Sequence, residues 1–226
     1  MIKTLDVISY SIINTVRPIL KRTDFIDIRD VREWVKNERN ELAKQQVDKN
    51  LPFIPPRFLQ TEKVTLQAIS QSAKFPDVII TTSTGLPSIL SAAGGEPIVE
   101  SISYKEILID KIQMVNNINT LVNYVKSDRF DRQAIYAGIF NGELVIAGTN
   151  SILIKGLDQA YITAVFDTPE IVSTFDVAAD SYPIEQNLLP TLEKKVIQEK
   201  YGIGLANYYD ETNDESHNLQ NESPDV

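Results

Sequence analysis

Apolar residues first recur along the chain at helical spacing. Leu5, Ile8, Ile12, Val16 and Ile19 fall three or four apart, which predicts an amphipathic helix whose stripe runs to a kink at Pro18. Asp27 can cap a second helix over about 28–48, where Val31, Trp34, Val35, Leu42 and Val47 form a stripe. Arg29, Glu33, Lys36, Glu41 and Lys44 face water on its other side. A short turn around Arg22 to Phe25 makes the two an αα-hairpin, and prolines 52, 55 and 56 end it and start an extended segment.

The period then changes to two. Val64, Leu66 and Ala68 alternate with Lys63, Thr65 and Gln67, so Thr61 to Ser70 reads as a half-buried strand. Further strands are expected at Asp77 to Thr82 and Ile98 to Tyr104, separated by a loop through Gly85, Pro87 and Gly94-Gly95-Glu96-Pro97. Lys105 to Val115 fits a helix or a strand, whereas Ile118, Leu121, Val122 and Val125 have helical spacing. Gln133 to Gly148 is a hairpin about Asn141-Gly142, a pair suited to the positive φ angles of a type I′ turn. Ile152 to Lys155 and Gln159 to Phe166 would complete an antiparallel meander. Asp167 or Thr168 can then cap a helix with Pro169 in its first turn; with Asp167 as cap, Glu170 takes the third position of a capping box. A short helix and a longer one from about Ile184 to Lys200 follow, with Pro190 a kink or break. The expected fold is α+β: a helical hairpin over 1–50, an antiparallel β-rich core over 51–166 with a helical insertion near 116–126, C-terminal helices over 167–206 and an acidic arm or tail over 207–226.

Composition narrows the classes of function. The 226 residues, 42% hydrophobic and 23% charged, suffice for a sizeable core, and no apolar run is long enough for a membrane helix. The first sixteen residues are broken by Asp6, Ser9, Ser11, Asn14 and Thr15 and read poorly as a secretory signal, so no cleavage is expected. With no cysteine, disulfides, thiolate catalysis and the usual zinc clusters are excluded, in keeping with assembly in a reducing cytoplasm. The net charge of −9 is uneven: residues 207–226 hold six acids and no Lys or Arg, leaving 22 basic against 25 acidic residues elsewhere. Such a chain lacks the basic stripe of a general nucleic-acid binder.

Candidate chemistry reduces to structural readings. The one histidine, His217, lies in the acidic tail without a histidine partner. Gly202-Ile203-Gly204 follows a helix rather than a strand and lacks the third glycine of a nucleotide loop. Asp167 and Glu170 sit where helix N-termini favour acids, and the Asn221-Glu222-Ser223 sequon is meaningless without secretion. No catalytic residue, cofactor or metal site is expected. Trp34 is a core residue or a partner anchor, with Val35 and Leu42 beside it as candidate partner contacts. Tyr208 and Tyr209 open the acidic tail and could anchor it on a neighbour, for instance as a strand added to a sheet edge.

A helical pair leading through Phe58-Leu59-Gln60 into the first strand, then a meander ending in Ala164, Phe166, Asp167 and Pro169, then Tyr182-Pro183-Ile184 and a terminal Asn213-Asp214, resembles structural proteins of short-tailed, crAss-like bacteriophages. The likeness spans nearly the whole chain, with 71–132 matching in outline; Thr168 departs where relatives carry another acid. The resemblance implies a virion head-to-tail connector: a closed homo-oligomeric ring of about twelve copies at the portal vertex, lining the DNA exit channel. Its implied partners are itself, the portal protein and adjacent tail or ring proteins, with no sequence-specific nucleic acid and no membrane. Its implied setting is the virion, after assembly in the bacterial cytoplasm. The alternatives are a non-virion phage interaction or regulatory protein and, as the least implausible enzyme, a tail-associated wall hydrolase using paired carboxylates.

Overall fold

The computed structural model describes residues 2–20, 26–50, 53–68, 79–82, 85–104, 111–117, 119–121, 123, 135–148 and 157–202. Helix α1, Leu5–Val16, is capped by the Thr4 hydroxyl, which accepts the Val7 N–H at 3.3 Å. It buries Leu5, Ile8, Ile12 and Val16 as the stripe predicts. The helix ends just before Pro18, which has no N–H to continue the ladder; Arg17 itself stays in the right-handed region (φ −52°, ψ −41°) and its N–H donates to Ile13 O at 2.9 Å. Ile19 is therefore off the stripe and 39% exposed. Helix α2, Ile28–Asn50, starts where Asp27 Oδ1 accepts the Arg29 N–H at 2.9 Å. Helix α3, Leu189–Tyr201, holds Pro190 in its first turn, so this proline opens the helix instead of kinking it. Gly202, at φ 64°, ends α3 in the left-handed conformation that glycine adopts without Cβ strain.

Among the described residues seven strands close into a barrel: β1 Gln60–Ala68, β2 Ile79–Thr82, β3 Val99–Ser103, β4 Lys111–Met114, β5 Ile135–Phe140, β6 Glu143–Gly148 and β7 Gln159–Ala164, in the order β1-β2-β6-β5-β4-β3-β7. Asn141 (φ 52°) and Gly142 (φ 77°) make the β5–β6 turn as anticipated. The open reading of Lys105 to Val115 resolves, over its described part, into β4. This strand runs parallel to β5, and the next residue extends the contact as Val115 N–H donates to Ala137 O at 2.8 Å. Gly138 makes this approach possible, since a Cβ there would lie 2.5 Å from the Val115 carbonyl oxygen.

The core is β-rich and mainly antiparallel, but β7 does not follow β6 in a sequential meander. It lies between β1 and β3, pairing Gln60 with Ala164 and Ser103 with Tyr161. On the first of these seams the Thr61 and Thr163 hydroxyls, directly opposite, are 3.0 Å apart. Of the expected helical insertion, residues 119–121 are helical and Leu121 N–H reaches Asn117 O at 2.9 Å. The turn Arg22 to Phe25, the strand Ile152 to Lys155 and the tail from 203 onward lie outside the described residues.

Two principal cores result. One fills the barrel with Val64, Leu66, Ile102, Leu144, Ile146 and Ile162, among others. The other packs α1, α2 and α3 on the segments that leave the barrel, joining Ile8, Ile12, Val35, Leu42, Leu192 and Val196 to Phe58, Leu90, Ile98 and Val165.

Candidate assembly surface

The helical layer is fixed to the barrel by a cation inside the protein. Arg39 follows Val35 by four residues and precedes Leu42 by three, so it projects from the apolar face of α2 and is 0% exposed. Its Nε donates to Pro183 O at 3.0 Å, Nη1 to Phe166 O at 2.5 Å and Nη2 to Phe58 O at 3.2 Å. Nη1 also reaches Asn40 Oδ1 at 2.9 Å, and the guanidinium lies 5.6 Å from the Phe58 ring centroid. Asn40 Nδ2 donates in turn to Asp167 O at 2.9 Å. Two neighbouring residues of α2 thus hold three separate chain segments: the entry to β1, the exit from β7 and the Tyr182-Pro183-Ile184 element.

Desolvation is the main electrostatic effect at this joint. Burial lowers Arg39 to about 10, while the negative charge available at Tyr182, Glu170 and Asp167 opposes it, so the guanidinium remains protonated at neutral pH. Burial, followed by the Glu170 charge, raises the Tyr182 hydroxyl well above its ordinary value, with Arg39 acting the other way. A second clamp lies nearby: Lys195 Nζ on α3 is 2.6 Å from Glu38 Oε1 on the same turn of α2 as Arg39. Arg32 on α2 meets Asp6 on α1 at 2.6 Å.

The corner after β7 is built differently from its sequence reading. Pro169–Ile171 is a single 3-10 turn, with Thr168 rather than Asp167 at the N-cap position and no side-chain capping bond. The backbone of Asp167 is used instead, its N–H donating to Ser88 O at 3.0 Å and its carbonyl accepting from Asn40. Glu170 does not form a capping box, and its Oε2 is buried without a hydrogen-bond partner. The segment beyond covers the flank of β1: Ser173 N–H donates to Glu62 Oε2 at 2.7 Å and the Thr174 hydroxyl to Thr61 O at 2.6 Å.

Of the expected partner contacts, Val35 and Leu42 are buried in the chain's own helical core, which removes them from any docking surface. Trp34 is half-buried and meets the Tyr201 ring edge-on, with centroids 5.6 Å apart and planes at 83°, so it fastens α3 to α2. Tyr208 and Tyr209 lie outside the described residues. Exposed apolar side chains occur elsewhere. Val7 and Tyr10, one turn apart on the outer face of α1, are 37% and 55% exposed, with Ile2 just before them. Phe53 and Ile171 are also exposed.

Grooves also mark the surface of the described residues. One, of about 390 Å³, lies at the start of α3 and has Leu59, Phe175, Pro183 and Leu189 among its walls, with Lys3 and Arg57 also lining it. Another, of about 350 Å³, lies along the start of α2, where Arg29, Arg32 and Lys36 alternate with Glu33 and face Glu170. Among the described residues no group of three or more His, Asp or Glu could hold a metal ion, and no helix is long and apolar enough to cross a membrane.

Residues 7–223 match the family model of phage tail ring protein 2 from crAss-like phages. The chain belongs to that family. No curated protein matches it. The family is one of phage tail ring proteins, consistent with a structural role in the virion and with oligomeric assembly with other tail components. The resemblance drawn from Phe58-Leu59-Gln60, the Ala164 to Pro169 corner and Tyr182-Pro183-Ile184 is thereby borne out, and all three segments converge on Arg39. Sequence reasoning missed Arg39 itself. The available signal was a charged residue at a position of the α2 stripe where an apolar one is expected.

Proposed function

We propose that the ring protein forms a closed homo-oligomeric ring at the portal vertex, joining the capsid portal to the tail and lining the path by which DNA leaves. The observation that carries this reading is the match to a tail ring family over nearly the whole chain. The packing of the barrel supports a path that belongs to the assembly and not to one subunit. The barrel interior is packed with Leu66, Ile102, Leu144, Ile146 and Ile162, so it is a core and has no room for a duplex. In this reading the passage lies between subunits, around the ring axis.

Each subunit then presents one patch to its neighbour and receives a different one, a heterologous contact that rotation closes, at about twelve copies if the ring matches a twelvefold portal. The outer face of α1, with Ile2, Val7 and Tyr10, is the apolar surface offered for that contact, and the loop of residues 85–97 meets the next tail component. The near balance of charge outside the acidic tail suits a wall past which DNA slides without phosphate adhesion. The role requires no catalysis.

The test is composition and position. Purified virions, tail-less heads and particles that have released their DNA are compared by mass spectrometry with chemical cross-linking. The reading requires this chain in the virion, cross-linked to the portal and to a second copy of itself. Its absence from virions would make it a non-virion interaction protein.

A further inference from the structure

Large apolar side chains that stay exposed among the described residues fall at two places. Ile2, Val7 and Tyr10 lie on α1 or just before it, and Ile19 lies just after it. Ile171 follows Glu170, which lines one groove together with Leu5 of α1. Phe53 stands apart from all of these. Arg32, which meets Asp6 of α1, and Asn50, the last residue of α2, are eighteen residues apart, so the end of α2 that leads to Phe53 is about 27 Å further along the helix. We propose that the two places are the halves of one contact between copies, with Phe53 of one subunit seated on the outer face of α1 in the next. This rests on the reading of the chain as a closed homo-oligomeric ring.

Symmetry supports the pairing. A patch that meets its own copy gives a two-fold dimer, whereas a ring closes through a heterologous contact between two different patches on each subunit. Those patches must also be far enough apart to face two different neighbours. The length of α2 between Arg32 and Asn50 supplies that separation.

Local structure makes Phe53 an anchor. Its neighbour Ile54 is buried in the helical core while Phe53 is 63% exposed, so burying one side chain turns the other outward. Pro55, at φ −59° and ψ 126°, and Pro56 follow, and their fixed φ angles leave the backbone beside the ring little freedom to lose on docking. On the receiving side Val7, Tyr10 and Asn14 recur at spacings of three and four, which places them along one exposed face of α1. Tyr10 offers Phe53 an aromatic partner, and Val7 offers an aliphatic surface beside it.

The test uses the full chain, which has no native cysteine to interfere. Lys49→Cys, exposed on the last turn of α2, and Asn14→Cys, exposed one turn beyond Tyr10, put thiols beside the two patches and leave Phe53, Val7 and Tyr10 in place. Each variant alone and an equal mixture of the two are treated with a flexible bis-maleimide, and covalent dimers are followed by denaturing electrophoresis. The proposal predicts that the mixture cross-links about tenfold faster than either variant alone. Phe53→Ser in the Lys49→Cys chain, or Tyr10→Ser in the Asn14→Cys chain, should remove that difference. Fast dimers of Asn14→Cys alone would overturn the proposal by pairing α1 with itself in a two-fold contact. A mixture no faster than the single variants would overturn it too. Sedimentation of the wild type separates that failure from failure of the ring reading, since an oligomeric wild type would keep the ring while removing this contact.

Discussion

Replacing Arg39 tests whether one buried guanidinium joins the two layers. Arg39→Met keeps much of the side chain's volume but removes every donor, leaving the carbonyls of Phe58, Phe166 and Pro183 without this partner. A buried polar group left unsatisfied costs about 1–3 kcal/mol, so three carry a gross cost of roughly 3–9 kcal/mol. The substitution also relieves the desolvation of Arg39, a penalty of several kcal/mol, so the net loss is about 3 kcal/mol. For a chain of this size that lowers the thermal midpoint by roughly 6–12 °C. Arg39→Lys separates geometry from charge: an ammonium keeps the charge but cannot reproduce a planar fork to three carbonyls, so it should be at least as damaging as methionine. Thermal melting by far-UV circular dichroism and urea titration of the three proteins measures both effects. A methionine variant as stable as the wild type, or a lysine variant close to it, would refute the reasoning.

Gly138→Ala should cost about 1–3 kcal/mol by forcing β4 from β5, because the new Cβ meets a backbone oxygen; urea titration beside Gly142→Ala, which meets no neighbour but strains a positive φ, should rank Gly138 as the worse. Trp34→Ala should lose about 2–3 kcal/mol, read by circular dichroism, since the edge-on contact with Tyr201 and the half-buried indole go together. Burial raises the Glu193 carboxyl, opposed by Lys3 and by a hydrogen bond with Ser11, so the folded chain holds that proton more tightly than the unfolded one. The resulting stability is fully present below the ordinary carboxyl range and is lost as pH rises through the raised value. Glu193→Gln should therefore melt higher than the wild type near neutral pH, with the gain vanishing below about pH 4; a gain that persists in acid would contradict the sign.

Local signals carried the first half of the fold. The stripes Leu5-Ile8-Ile12-Val16 and Val31-Val35-Leu42-Val47 became the inner faces of α1 and α2, and Asn141-Gly142 became the turn between β5 and β6. Long-range pairing was not legible. Nothing in Gln159 to Ala164 says that it lies between β1 and β3, since alternation fixes the faces of a strand but not its neighbours. The Lys105 to Val115 stretch stayed open for the same reason: parallel pairing with β5, not local periodicity, makes its end a strand. At the corner, Asp167 and Glu170 carried the composition of a capping box, but the backbone hydrogen bonds of Asp167 to Ser88 and Asn40 hold the chain in a 3-10 turn. Pro190 was read as a break because its place relative to the helix start was unknown; at the first turn its missing N–H costs nothing. Three of the short motifs that carried the family resemblance, Phe58-Leu59-Gln60, the Ala164 to Pro169 corner and Tyr182-Pro183-Ile184, meet at one buried joint.

The central claim, a ring around the DNA path at the portal vertex, is tested most directly by cryo-electron microscopy of intact particles with focused reconstruction of that vertex. The account predicts a closed ring into which the α1–α2–α3 layer and the seven-stranded barrel fit as one subunit, with the DNA path outside every barrel and a lumen not lined by Lys or Arg. A vertex with every ring assigned to other chains, or a lumen carpeted with basic side chains from this one, would contradict it.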